Sequence, residues 1–315
     1  MRVAVLGPGG VGGLLAGVLA RAHNDVTIVA KESTVETLAE RGLTVRSTMF
    51  GEFTESVPAV ARLGDEARES DRFDALIVAT KAVGLAEALD RIEVAPEVVL
   101  PLLNGLDHVA ALRERFDPKS VLASTIRVES DRPEPGLIVH TSRFLLIDMA
   151  TSNKDALYPM KDLAETLKEA GIPVRVTLPV SKRSEAQVMW SKLVRLNALA
   201  CTTSAYDALL GEIRSRPALH ADLVAAVEEA CAVGRAEGAD DVDPQVALAE
   251  LEIAHDTLGS SMQRDIAAGR TPELDAIPGA VLRAAARHDI ACPTIERLVL
   301  RIADRIGVPA PLASG

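Results

Sequence analysis

The 315-residue chain carries 34 Lys+Arg against 45 Asp+Glu, a formal net charge of −11, with 48% hydrophobic and only 3% aromatic residues. That length exceeds what one hydrophobic core usually serves, so two domains are expected, and the apolar share argues against wholesale disorder. The acidic average field and the scarcity of rings for base stacking argue against nucleic acid as a partner. Three cysteines (Cys201, Cys231, Cys292) without zinc spacing read as buried thiols in a reducing, cytoplasmic setting.

The first element imitates a secretory signal or a short membrane span: Met1-Arg2, then an uncharged stretch from Val3 to Ala20, then Arg21. Gly7, Pro8, Gly9, Gly10, Gly12, Gly13 and Gly17 interrupt it. Each glycine costs a helix interior ~1 kcal/mol relative to alanine and proline ~3 kcal/mol, so a continuous apolar helix is a poor description and no membrane association is expected. Val3-Ala4-Val5-Leu6 instead suits a buried parallel strand. Gly7-Pro8-Gly9-Gly10-Val11-Gly12 then fits G-x-G-x-x-G, Leu14, Leu15, Val18 and Leu19 repeat at helical spacing, and Val26 to Ala30 reads as a second strand. A glycine triplet alone is weak evidence, but within such a βαβ unit it is the dinucleotide-binding, Rossmann fingerprint. Gly7 permits the turn, Gly9 admits a pyrophosphate, Gly12 packs helix on strand, and the N–H groups from Gly10, Val11 and Gly12 face the anion.

Where an NAD-binding unit usually has an acidic residue at the end of the second strand, this chain has Lys31 and then Glu32. A cation suits a 2′-phosphate, which favours NADPH over NADH, while Glu32 could take the acidic role itself. Further strands are expected at Ala75–Ala79, ending in Thr80-Lys81, and at Val98–Leu103, ending in Asn104-Gly105. Ligands of open α/β sheets bind beyond the carboxyl ends of strands, which puts Lys31, Lys81 and Asn104 along one edge. Val121–Thr125 and Phe144–Ile147 read as strands separated by a turn at Asp131–Gly136, and Val174–Val176 as the strand closing the sheet.

From about Ser184 the pattern becomes helical, over 190–210, 218–237, 244–254 and 277–287. The expected architecture is α/β: a doubly wound Rossmann-like domain over 1–182, an all-α domain over 183–315, a hinge near residue 183 and a cleft between the halves. Val188, Lys192, Leu196 and Leu199 share one helical stripe that Lys192 interrupts. Lys192 either snorkels to solvent along its stem or is an ammonium held as a proton donor.

These features together resemble the ketopantoate reductases. The resemblance rests on the glycine loop, Lys81, Leu103-Asn104-Gly105, Trp190-Ser191-Lys192-Leu193, Ser260 to Ile266, Gly269 to Asp275 and the tail from Gly279 to Thr294. It implies an NADPH-dependent reduction of the ketone of a 2-oxo acid. Carried over by position, Lys192 would protonate or stabilise the developing alkoxide. Glu273 would bind a substrate hydroxyl and orient the lysine, and Ser261 would hold the substrate carboxylate. Asn104 would line the junction of nicotinamide and substrate, and Lys81 would lie beside the cofactor. Four asparagines usual in the family are replaced by Leu196, Leu210, Leu258 and Pro278, and Asn197 is displaced ~100° around the helix from the first. A pocket with fewer amide donors discriminates hydroxylated substrates less, so another 2-oxo acid stands open as the substrate beside ketopantoate itself.

Plainer accounts exist for other residues. Ser261 could cap a helix, Glu273 could sit at a helix start, and Glu228-Glu229 and Asp240-Asp241 read as solvated surface. The six histidines show no metal-ligand spacing, and no Gly-x-Ser-x-Gly elbow occurs. Three function classes remain: a reductase of a 2-oxo acid or related ketone, another two-domain dehydrogenase acting on a β-hydroxy acid or imine, and a non-catalytic NADP-binding sensor. A small-molecule substrate is expected, and the helical half is suited to a homodimer interface.

Overall fold

Residues 3–6 are buried on both faces, the condition that a continuous apolar run meets best as a central parallel strand. The computed structural model describes residues 1–64, 73–178 and 184–311. Its first part runs β1 (Arg2–Leu6), α1 (Gly10–Arg21), β2 (Asp25–Val29), α2 (Glu32–Arg41), β3 (Leu43–Ser47), β4 (Gly51–Glu55), β5 (Ala59–Val60), β6 (Ala75–Val78) and α3 (Leu85–Leu89). It continues through β7 (Val98–Pro101), α4 (Asp107–Arg115), β8 (Ala123–Arg127), β9 (Ser130–Glu134), β10 (Leu137–His140), β11 (Leu146–Ala150), α5 (Leu157–Glu169) and β12 (Val174–Thr177).

The five-stranded sheet has the order β5-β2-β1-β6-β7 with every pair parallel. The winding direction reverses between β1 and β6, the switch point beyond which ligands of such sheets bind. The expected single sheet is corrected. Two smaller sheets accompany it, β4-β3-β10-β9 and β12-β11-β8, so Val174–Val176 lies at the edge of the three-stranded sheet. The turn expected over Asp131–Gly136 is also shorter. Ser130–Glu134 is a strand antiparallel to β10, and only Pro135-Gly136, with Gly136 at φ +81°, makes the turn. Pro133 is accommodated within this strand because β9 is an edge strand, where a missing N–H is tolerated.

The extra glycines of α1 answer to the four-stranded sheet. A Cβ on Gly10 would lie 2.3 Å from Ser130 O, one on Gly13 2.4 Å from Ile138 Cδ1, and one on Gly17 2.8 Å from Val45 Cγ2. These three share one face of α1 and let β9, β10 and β3 approach it closely.

The helical part comprises α6 (Glu185–Tyr206), α7 (Leu210–Ser215), α8 (Pro217–Ala236), α9 (Pro244–Ile253), α10 (Ser261–Ala267), a π-helical turn (Asp275–Gly279), α11 (Ala280–Arg287) and α12 (Pro293–Ile306). The helix expected over 190–210 breaks where Asp207 takes φ +50°, and that over 277–287 begins as the π-turn around Pro278. Trp190, Cys201, Cys231, Cys292, Ile295 and Leu298 are among the buried residues of this core. Burial pushes the thiols up, to about 11 at Cys231 and about 12 at Cys292. Glu229 is not solvated surface: its carboxylate accepts from Thr294 N and Ile295 N, both at 2.9 Å, and caps α12. Arg301 and Arg305 donate to the carbonyls of Ala205 and Ser204 at the end of α6, where unpaired carbonyls favour cations.

By internal contacts the chain divides into Met1–Leu103 with His108–Glu185, and Asn104–Asp107 with Ala186–Gly315. The expected hinge near residue 183 lies outside the described residues. Among the described residues no helix is long and apolar enough to cross a membrane.

Candidate active site

At the carboxyl end of β1, Gly7 adopts φ +90°, its N–H bonded to Val29 O at 3.1 Å and its O accepting from Gly9 N at 2.8 Å. Only glycine takes this conformation without strain. A Cβ on Gly12 would lie 2.2 Å from Gly7 O, so the helix start requires glycine there too. Gly9 differs. Its φ is −75°, and the nearest atom to an added Cβ is Ala79 O at 3.9 Å. The protein itself does not demand glycine at this point; the open approach to the backbone does, beside the start of α1 where N–H groups lack intrahelical acceptors. These residues fit a dinucleotide pyrophosphate, with Val11 half-buried in the first turn.

Lys31 and Lys81 follow β2 and β6. Lys31, 67% exposed, forms an ion pair with Glu87 at 3.1 Å. Glu32 accepts from Arg91 Nη1 at 3.2 Å. Its carboxyl lies below the ordinary value because of a hydrogen bond to its own backbone N–H, then the Arg91 hydrogen bond and charge. Arg91 is absent from the sequence-based expectations, since no local motif marks a guanidinium that reaches strand ends through the fold. Lys81 is exposed at the N-cap of the 3₁₀ turn Ala82–Gly84, and its neighbour Thr80 packs against Gly7.

Asn104, Lys192 and Glu273 come together within the helical unit. Lys192 Nζ donates to Asn104 Oδ1 at 2.7 Å, and Asn104 Nδ2 donates to Glu273 Oε2 at 2.9 Å. The amide therefore faces a cation with its oxygen and an anion with its nitrogen, the one orientation that satisfies both. Lys192 and Glu273 are half-buried, and the lysine head is held by Asn104 rather than left to solvent. Gly105, at φ +89°, holds this geometry: a Cβ there would lie 1.9 Å from Ala276 O. Arg283 spans the same two segments, bonding Asp107 and Asp275, each at 2.6 Å.

Ser261 is the exposed first residue of α10. The cap expected of it belongs to Ser260, which accepts from Gln263 N at 3.0 Å and bonds Thr203 Oγ1 at 2.8 Å. Of the positions that depart from the family pattern, Leu210 is fully buried in the helical core, Leu196 and Leu258 pack against that core, and Pro278 is buried. Asn197 is fully buried, its Oδ1 near Cys201 Sγ at 3.6 Å and its Nδ2 without a hydrogen-bond partner among the described residues; it does not replace the missing amide beside Lys192.

The family model for ketopantoate reductase PanE/ApbA matches residues 3–149, and that for its C-terminal region matches residues 186–305. A 2-dehydropantoate 2-reductase of Halobacterium salinarum is 30% identical over 313 residues, covering 98% of this chain and 100% of that protein. An uncharacterized oxidoreductase of Bacillus subtilis, YkpB, is 29% identical over 306 residues, covering 94% and 96%. Among solved structures, the fold is shared with the ternary structure of D-mandelate dehydrogenase with NADH and anilino(oxo)acetate, at TM-score 0.85, 21% identity and coverage of 98% and 100%. It is shared equally with a 2-dehydropantoate 2-reductase from Geobacter metallireducens, at TM-score 0.84, 24% identity and coverage of 97% and 100%. With a nucleotide loop, a helical unit holding the lysine, amide and carboxylate, and family models matching both parts, this chain belongs to the ketopantoate reductase family.

Proposed function

We propose that this chain is an NADP-dependent oxidoreductase that reduces the ketone of a small 2-oxo acid, as its 2-dehydropantoate 2-reductase relatives do. The observation that carries the reading is the hydrogen-bonded chain Lys192–Asn104–Glu273. Residues 1–182 would serve as the NADP-binding domain and 183–315 as the substrate and catalytic domain. Gly7, Gly9, Gly10, Val11 and Gly12 would hold the pyrophosphate, Lys31 the 2′-phosphate, and Lys81 would lie along the cofactor.

The chemistry that NADPH would supply here is a hydride for the ketone carbon. Lys192 Nζ would give the proton that the resulting alkoxide oxygen needs. Negative charge on that oxygen exists in the transition state and hardly in the ketone, so a held ammonium lowers the barrier rather than merely tightening binding. Asn104 fixes one of the three N–H directions of Lys192, and Glu273 fixes Asn104. Glu273 would also accept from a substrate hydroxyl, and Ser261, exposed on α10, would meet the substrate carboxylate. Asn104 would border the nicotinamide and substrate together.

Leu210 and Pro278 are buried and take no part in substrate contacts, whereas the half-buried Leu196 and Leu258 support a substrate with fewer hydroxyl contacts than ketopantoate. NADPH oxidation measured over a panel of 2-oxo acids and ketones, with NADH in parallel, tests the whole reading. Absence of turnover across the panel would overturn the reductase assignment, and efficient saturable turnover of ketopantoate would overturn the altered substrate alone. A cytoplasmic setting is supported by three buried cysteines that are all free thiols. A homodimer is supported by Val246 and Ile253, which lie seven residues apart on α9 and are 59% and 85% exposed; sedimentation velocity would decide it.

A further inference from the structure

Arg91 is anchored where it can meet an anion. Its side chain is 16% exposed. Nη1 donates to Ala61 O at 3.1 Å and Ala30 O at 3.5 Å, carbonyls that follow the carboxyl ends of the paired parallel strands β5 and β2. With two N–H groups on Nη1, Ala61 O and Glu32 are the near acceptors and Ala30 O a long, shared one, which together hold the guanidinium at the end of β2, beside Lys31. Carboxylates cover both cations: Glu32 accepts from Arg91 at 3.2 Å, while Glu87 lies 3.1 Å from Lys31 Nζ and 3.9 Å from Arg91 Nη2. These carboxylates are 69% and 62% exposed, and exposed pairs of this kind are weak because water screens them.

A phosphate monoester brings −1.5 to −2 charge and three strong acceptor oxygens, against one charge on a carboxylate. We propose that Arg91 is the second cation for the 2′-phosphate of NADP, and that Glu32 is the group this phosphate must displace from it. The inference rests on the nucleotide reading of the glycine loop. A 2′-hydroxyl cannot displace Glu32; it donates to that carboxylate, which stays on Arg91. Discrimination between the two cofactors is then an exchange on a pre-anchored guanidinium, with Glu32 opposing NADPH and supporting NADH.

Calorimetric titration of the full chain with NADPH, NADH, 2′,5′-ADP and 5′-AMP tests this without turnover. R91Q weakens NADPH and 2′,5′-ADP by about tenfold or more, with NADH and 5′-AMP changed less than about twofold, as expected for loss of a charge-assisted bond. E32Q, at an exposed site that cannot decide folding, tightens NADPH and weakens NADH. An equal loss for both cofactors in R91Q would show that Arg91 only braces the strand ends, and would overturn the proposal. An unchanged NADPH-to-NADH ratio in E32Q would overturn it even if R91Q failed to fold. Failure of the unaltered chain to bind either dinucleotide would instead overturn the glycine-loop reading, and this proposal with it.

Discussion

Asn104 shows how one side chain can couple two charged groups through the two ends of its amide. Its oxygen receives Lys192 and its nitrogen reaches Glu273, so each end is specified by a partner. The K192A variant is expected to bind NADPH as the parent does while kcat falls ~10²–10⁴-fold, the usual contribution of a positioned proton donor; unchanged turnover would remove Lys192 from the mechanism. Replacing Glu273 separates hydrogen bonding from charge: E273Q retains an acceptor for Asn104, and E273A does not. Steady-state kinetics should show the larger kcat loss in E273A, up to ~10²-fold if the lysine loses its placement. Lys192 and Glu273 stand out in the sequence, one as a charge on an apolar stripe and the other by family position. Asn104 stands out as well, at the end of a strand and by family position; its bridging of the other two does not, because 88 residues separate it from Lys192.

At the scale of elements, His140 ties β10 to β3 and to the loop that follows β10. Ser47 Oγ accepts from Met49 N and Phe50 N, leaving its proton for His140 Nδ1 at 2.8 Å. Ser142 Oγ donates to Phe144 O, so it accepts from Nε2–H at 3.0 Å. This network fixes one neutral tautomer, and burial holds the imidazole below its ordinary value. The depressed folded value means that the unfolded chain binds the extra proton first. The stabilisation is therefore complete above about pH 6.5 and lost as pH falls through the folded value. Urea midpoints measured between pH 8 and pH 5 should decline accordingly, and H140Q should flatten that decline. Glu229 gives a second expectation: E229A leaves two N–H groups at the start of α12 without their cap, costing ~1–2 kcal/mol in urea denaturation. Strand and helix periodicity made most of these elements legible. The four-stranded sheet was not, because β4 and β9 bury no residue, so they carry no apolar alternation, and Pro133 reads locally as a turn.

For the whole molecule, the single tryptophan becomes a reporter. Trp190 is 2% exposed within the helical core, and a Cβ on Gly234 of α8 would lie 3.1 Å from its ring. Its emission is expected to be blue-shifted and poorly quenched by iodide, and to follow unfolding of that core alone. L298A removes a fully buried side chain from the same core, and should lower the Trp-monitored stability by ~2–5 kcal/mol. The net charge of −11 does not oppose the proposed nucleotide site, which would depend on a few placed donors: backbone N–H groups at α1 and the cations at the end of β2.

By itself, the amino-acid sequence determined the α/β class, the glycine loop, the change to helices near residue 184 and the family, since each is written in local spacing or ordered motifs. Three things were decided only by the tertiary structure: the division of the strands into three sheets, the bridging of Lys192 and Glu273 by Asn104, and the arrival of Arg91 at the ends of β2 and β5. Each depends on contacts between residues far apart in the chain, and hydrogen-bond geometry across such distances leaves no periodic trace in the order of residues.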